Sequence, residues 1–175
     1  MCANGVRAVP DFGSIEAVTD GLDQFDRRLL NLLQRNDAQT AEQLAEKIAL
    51  SPSAIARRLR RLRAEGWIAR TIAILSPRVT AARLRALVLV QLAEHADQRG
   101  KDRLRRRLLE TDEVQLVYEV SGSHDLAVIM DCPSMDAFVA LAEELFAADQ
   151  AVRRYESSFV KREMKFAPFV DLFAD

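Results

Sequence analysis

Five arginines fall within seven positions, Arg57, Arg58, Arg60, Arg61 and Arg63, in the stretch SPSAIARRLRRLRAEGWI (51–68). A guanidinium is planar, permanently charged and able to donate two parallel hydrogen bonds, so such a cluster suits phosphate oxygens and the guanine edge. Ile55, Leu59 and Leu62 interrupt the arginines at spacings of four and three. At about 100° per residue they form one apolar stripe, and Ser53, Arg57, Arg60 and Arg61 point the other way, with Arg58 and Arg63 on the flanks. The bland alternative is a solvated helix whose arginines lie along neighbouring apolar surface. Against it, acids at i±4, which usually balance such a helix, are nearly absent before Glu65.

Charge is distributed unevenly in the same sense. The net charge is −1, yet residues 51–70 carry six arginines against one glutamate, and residues 131–150 carry five acids and no lysine or arginine. A basic element beside an acidic region fits a nucleic-acid-binding module joined to something else. Other chemistry is poorly represented. Cys2 and Cys132 are the only cysteines and His95 and His124 the only histidines. They show no metal-ligand spacing and no disulfide framework, so neither a metal nor a cofactor is expected. There is no P-loop, no Gly-rich dinucleotide motif and no nucleophile–base set. No stretch reaches the roughly 20 apolar residues of a membrane span, and the opening residues lack the apolar run of a signal peptide, so a cytoplasmic protein is expected.

The elements that must position the arginines read as three short helices. Residues 1–21 read as a flexible tail. LDQFDRRLLNLLQRN places Phe25, Leu29, Leu32 and Leu33 at helical spacing, with Asp23 as cap and Asp26 near the positive end of the helix. TAEQLAEKIAL opens with Thr40 and has Gln43 three positions on, a capping-box pattern. Ser51 caps the third helix, Pro52 fits its first position, and Gly66 ends it. WIARTIAIL (67–75) reads as a strand, the wing, with Trp67 anchoring it to the first helix. Three helices with a basic third are the ingredients of a winged helix-turn-helix. On that reading Ser51, Ser53, Ala54 and Arg57, at the helix start, approach base edges of double-stranded DNA. Arg58, Arg60, Arg61 and Arg63 lie nearer phosphates.

After a connector at 76–84 the rhythm changes. Strands at 85–94, 114–122, 126–132 and 153–165 alternate with helices at 100–112 and 134–149. The β-α-β-β-α-β order is the ferredoxin-like arrangement, one antiparallel sheet with both helices on one face. The expected class is α+β, with a DNA-binding domain at 22–75 and a ferredoxin-like domain at 85–175. One sheet face is left uncovered, which suggests self-association.

LDQFDRRLLNLLQRN, LAEKIALSPSAIARRLRRLRAEGWI, ILSP and VSGSHDLAVIM together resemble the leucine-responsive regulator family (Lrp/AsnC, or feast/famine regulators). The resemblance spans residues 22–132, and the strand and helix order carries it to about residue 170. It implies an N-terminal helix-turn-helix and a C-terminal ferredoxin-like effector-binding (RAM-type) domain. It also implies dimers paired through their sheets, with dimer or octamer left open, and a small-molecule effector, typically an amino acid, held near a Gly-x-x-Asp loop. Here that loop is Gly122-Ser123-His124-Asp125; relatives more usually have an acidic residue and a tyrosine in place of Ser123 and His124. In the last strand relatives place two hydroxyl residues two apart, and Ser157 is the close match. Relatives also commonly have glycine where this chain has Ala49.

Chemically, Gly122 lets backbone N–H groups face a carboxylate and Asp125 suits an ammonium, a pairing that fits an α-amino acid. The plainer reading is a hairpin between two strands. His124 is read as a loop-tip side chain in contact with water or ligand. The function expected is a sequence-specific, effector-responsive transcriptional regulator and not an enzyme. Two alternatives stand beside it: a sirohaem-decarboxylase-like enzyme of the same fold, and a nucleoid-associated architectural protein.

Overall fold

Helix α1 (Gln24–Leu33) begins where its first N–H groups find a side chain. The Asp23 carboxylate accepts from the N–H groups of Phe25 and Asp26, both at 2.9 Å, and Asp26 reaches back to the Asp23 N–H at 3.2 Å. Helix α2 (Ala41–Ala45) uses the same reciprocal device: Thr40 Oγ1 accepts from Gln43 N–H, and Gln43 Oε1 accepts from Thr40 N–H at 2.9 Å. Helix α3 (Pro52–Ala64) starts with Ser51 Oγ accepting from Ala54 N–H and is followed by Gly66 at φ 82°. These features belong to a computed structural model that describes residues 21–173. The expected N-terminal tail, with Cys2, lies outside the described residues apart from Gly21.

The three helices enclose Leu29, Leu33, Leu44, Ile48, Ile55 and Leu59 in one apolar cluster. A second cluster joins Leu22 and Leu30 to Leu62 of α3, with Trp67, Ile68 and Leu172 packed around it. Ala49 needs no left-handed backbone, because no described residue other than glycine has a positive φ. The turn between α2 and α3 is shaped differently from one built on glycine.

The wing strand expected at 67–75 is not formed. Residues 69–76 have no regular structure, and Ile72 and Ile74 are about two-thirds exposed (65% and 66%). The alternation was read correctly as extended chain, but a strand needs a hydrogen-bonding neighbour, and this segment has none within one chain.

The rest of the chain forms a second unit, Leu75–Met164. After a short helix α4 (Pro77–Thr80) come β1 (Leu84–Leu92), α5 (Gln98–Glu110), β2 (Val114–Glu119), β3 (Leu126–Cys132), α6 (Met135–Ala142) and β4 (Val152–Phe159). A π-helical turn, Glu143–Ala147, extends α6. The sheet order is β2-β3-β1-β4, all pairs antiparallel, which is the ferredoxin-like arrangement. Alternation on β1 and β3 sends Ala86, Val88, Val90, Val128, Met130 and Cys132 to the helix side, against Leu104, Leu108, Phe138 and Phe146. Burial pushes the Cys132 thiol up, leaving it an inert core residue. The other face carries Leu87, Leu89, Ile129, Leu116 and Tyr118, the last two exposed.

The C-terminal stretch differs from expectation. Strand β4 ends at Phe159, and from Lys165 onward the chain belongs to the helical unit, not to the sheet unit. Local periodicity cannot say which of two cores an apolar segment joins.

Phe146 is fully buried at the centre of the sheet unit. Phe146→Ala removes a ring from a close-packed core and is expected to lower stability by about 3–5 kcal/mol, measured by equilibrium denaturation followed by circular dichroism.

Candidate nucleic-acid interface and effector loop

Ile55, Leu59 and Leu62 are all buried, which fixes the rotation of α3 about its axis. Ser53, Arg57 and Arg60 face outward and are exposed, and Ala54 is half-buried at the helix start. Ser53 Oγ lies 3.1 Å from the capping Ser51 Oγ. Arg57 and Arg60 have no acidic partner among the described residues.

The other three arginines are already engaged. Arg58 donates to Asp23 Oδ2 at 2.7 Å and to Asp26 Oδ1 at 2.8 Å, and lies over the Phe25 ring. Arg61 donates to Asp26 Oδ2 at 2.5 Å. Arg63 sits 3.5 Å from Asp37. Asp26 is 1% exposed, so α1 and α3 are joined by a carboxylate removed from water and held by two guanidiniums. Both arginines have their positive charge reinforced, chiefly by their hydrogen bonds to Asp26. Burial opposes ionisation of Asp23, but the Asp26 N–H and the Arg58 guanidinium outweigh it and hold the Asp23 carboxyl below its ordinary 3.8.

This pairing was missed from sequence, where balancing acids were sought at i±4 on α3 itself. The signal was there in another form. Asp23 and Asp26 are three apart, as are Arg58 and Arg61, so two helices laid side by side can match them. The even assignment of Arg58, Arg61 and Arg63 to phosphates therefore changes: their guanidiniums are tied to acids within the helical unit, and Arg57 and Arg60 are the free pair.

In the sheet unit, Gly122 stands at φ 131° with open space where a Cβ would be. The loop 121–125 is held at both ends. Val120 N–H donates to the Asp125 carbonyl, and Asp125 N–H to the Val90 carbonyl, each at 2.9 Å. Asp125 Oδ2 accepts from Leu92 N–H at 2.7 Å, so one carboxylate oxygen is committed to the end of β1. Gln91 Nε2 donates to the Ser123 carbonyl at 3.1 Å. His124 Nδ1 is 3.1 Å from Ser123 Oγ, and its Nε2 is buried without a hydrogen bond, 3.7 Å from Glu156 Oε1. Ser157 pairs in register with buried Val88, on the helix side, while Glu156 pairs with Leu89 on the open side. Its hydroxyl is also buried and unpartnered. The loop thus keeps Gly122 to Asp125 together and adds Gln91 and Glu156, which sequence reading did not single out; Ser157 lies on the other sheet face from Glu156.

Among the described residues no group of three or more histidine, cysteine, aspartate or glutamate side chains could hold a metal ion. No helix among them is long and apolar enough to cross a membrane.

Residues 22–69 match a family model described as winged helix-turn-helix DNA-binding, and residues 85–168 match the Lrp/AsnC ligand binding domain. An uncharacterized HTH-type transcriptional regulator, y4tD of Sinorhizobium fredii, is 33% identical over 145 residues, covering 82% of this chain and 85% of the relative. The chain belongs to the Lrp/AsnC family. Like its family, it is a DNA-binding transcriptional regulator with an effector-binding domain. The glutamate uptake regulatory protein of Zymomonas mobilis is 32% identical over 124 residues, 71% of this chain and 75% of that one. A Neisseria meningitidis transcriptional regulator, solved in complex with L-Met, superposes with a TM-score of 0.79 at 28% identity, covering 87% of this chain and 97% of that one. This Lrp/AsnC chain therefore shares with known regulators both the arginine-bearing α3 and the sheet unit that carries the loop.

Two outcomes follow from the Asp26 clasp. Asp26→Ala leaves two guanidiniums without their shared partner and should destabilise the helical unit by about 3 kcal/mol, read as the thermal midpoint shift of Trp67 fluorescence. A carboxyl held below its ordinary value stabilises the fold above that value and loses its contribution as pH falls through the lowered one. Stability should therefore decline below about pH 4, and Asp23→Asn should flatten the decline.

Proposed function

We propose that this regulator reads DNA through the first turns of α3, with Ser53, Ala54 and Arg57 at base edges and Arg60 at phosphate, and responds to an amino acid or a closely related metabolite. The observation that carries the DNA reading is the split among five arginines: Arg57 and Arg60 stand free on the exposed side of a helix whose other side is buried. Arg58, Arg61 and Arg63 act in this reading as supports that hold α3 against α1, with at most a secondary part in phosphate contact.

The effector reading rests on the loop at Gly122 and on relatives. A regulator of similar fold holds L-Met, and another relative is named for glutamate uptake. In this chain the backbone around Gly122 and the Ser123 hydroxyl suit a carboxylate. Asp125 keeps one oxygen for an ammonium after its bond to Leu92, and His124 with Glu156 adds polar groups that a side chain of the effector could meet. Ser157, facing the helices, enters as support behind the strand.

Self-association completes the reading. The uncovered sheet face with Leu116 and Tyr118, and the unpaired extended segment with Ile72 and Ile74, leave apolar groups and backbone donors that a second copy would satisfy. A two-fold dimer would present two α3 helices to a near-palindromic site. The cytoplasm is the compartment this function requires.

Arg57→Ala with Arg60→Ala should weaken binding to the DNA upstream of the gene and reduce the salt slope by about 2 per subunit engaged, since each phosphate contact contributes about 0.9 to that slope and Arg57 also loses a base contact. Arg58→Ala should instead lower the melting temperature. Gel-shift titrations at several salt concentrations separate the two, and an unchanged affinity in the double variant would remove the DNA assignment. For the effector, melting curves against the twenty amino acids should show at least one that raises the midpoint, by about 2.7 kcal/mol of added stability at a hundredfold excess over Kd. Gly122→Val should abolish that rise.

A further inference from the structure

The exposed side of α1 is occupied by the end of the chain. Gln34 clamps one residue of it from both sides: its Oε1 accepts from Val170 N–H at 2.8 Å, and its Nε2 donates to the Val170 carbonyl at 3.0 Å. One turn earlier, Asn31 Oδ1 accepts from Leu172 N–H at 3.1 Å, and Asn31 Nδ2 donates to Asp171 Oδ1 at 2.7 Å. The Arg35 guanidinium lies 4.7 Å from the centre of the Phe169 ring. Leu172 enters the cluster of Leu22, Leu30 and Leu62, and so touches the core shared by α1 and α3.

Three independent kinds of contact converge here. Paired amides satisfy the backbone of an extended segment as a neighbouring strand would. The segment carries Asp171, and the surface it covers carries Arg28 and Arg35, with Lys47 across a cleft that Phe173 helps to line. A leucine fills the apolar gap. Asn31, Gln34 and Arg35 follow one stripe of α1 at spacings of three and four, so the helix presents them as a single surface. All of these partners, Phe169 to Phe173, lie beyond residue 168, where the match to the ligand-binding family model ends.

We propose that the outer face of α1 is a docking surface for residues 169–173 of the same chain, and that this docking sets DNA affinity by bracing α1 against α3. The segment continues from β4, which carries Glu156 beside the effector loop. Docking therefore gives the sheet unit a covalent hold on the helix pair that carries Arg57 and Arg60. This regulation rests on the DNA-binding reading given above; the docking itself does not.

The test uses the full chain with Asn31→Ala and Gln34→Ala together. Alanine is a strong helix former, so α1 should keep its helicity, which circular dichroism checks. Hydrogen exchange in the unaltered protein should show the amides of Val170 and Leu172 protected, and the double variant should lose that protection by about tenfold or more. Affinity for the upstream DNA should fall about fivefold, the size expected from losing one or two net hydrogen bonds that brace the helix pair. Leu172→Ala should act in the same direction, and Leu172→Met should restore most of the affinity. Unprotected amides in the unaltered chain would refute the docking. Lost protection with unchanged DNA affinity would refute the bracing role. If the unaltered chain bound no DNA, the regulator reading would fail while the exchange result still decided the docking.

Discussion

The helical unit depends on one carboxylate. Asp26 serves α1 as the returning half of its capping box and serves α3 as the shared partner of Arg58 and Arg61. Taking a charge out of water is costly, and only an ion pair with its remaining lone pairs satisfied offsets the cost. Asp26 meets that condition: its two oxygens accept from Arg58, Arg61 and the Asp23 N–H. The contact is directional where the apolar cores of α1 and α3 are not. Leucines alone tolerate a slide or a rotation of one helix on the other, whereas a carboxylate gripped by guanidiniums three residues apart does not. The orientation of α3, and with it the outward aim of Arg57 and Arg60, follows from that grip.

The architecture was legible in the sequence because it rests on short-range rules. Caps at Asp23, Thr40 and Ser51, the terminating Gly66 and the alternation on β1 and β3 each act within a few residues, and the element order follows from them. What could not be read rests on contacts between distant residues. The arginine run looked uniform because periodicity sorts side chains by face and says nothing of what lies opposite. Residues 67–75 looked like a strand because extended chain and paired strand share one pattern, and only a neighbour separates them. The last nine described residues looked like part of the sheet domain because a few apolar side chains without period carry no address.

The effector loop shows the same limit within a shorter span. Gly122 and Asp125 were read either as hairpin residues or as ligand contacts, and the geometry gives Asp125 a structural duty without exhausting it. One oxygen closes the end of β1 through Leu92 N–H; the second has no such bond. A side chain placed this way is held in a single rotamer, and a site gains affinity when its polar groups are fixed before the ligand arrives. The structural and the binding roles of Asp125 are thus complementary. The unpartnered Nε2 of His124 and hydroxyl of Ser157 are less easily explained by the fold, since buried polar atoms usually find partners.

The division among the arginines also bears on how the protein discriminates between DNA sequences. Sequence-independent affinity grows with the number of phosphates neutralised, each contributing about 0.9 to the salt slope. A helix with five free arginines would bind any duplex strongly. On α3 three of the five are matched by acids of the same unit, and the chain as a whole carries a net charge of −1. The electrostatic background from this face is correspondingly low. An architectural protein that coats DNA relies on that background and gains nothing from cancelling it. A regulator that must find few sites among many gains from it, because what counts is the ratio of specific to non-specific affinity. Neutralising Arg58, Arg61 and Arg63 inside the fold therefore does two things at once: it sets the helix in place, and it leaves base contacts from the helix start a larger share of the binding energy.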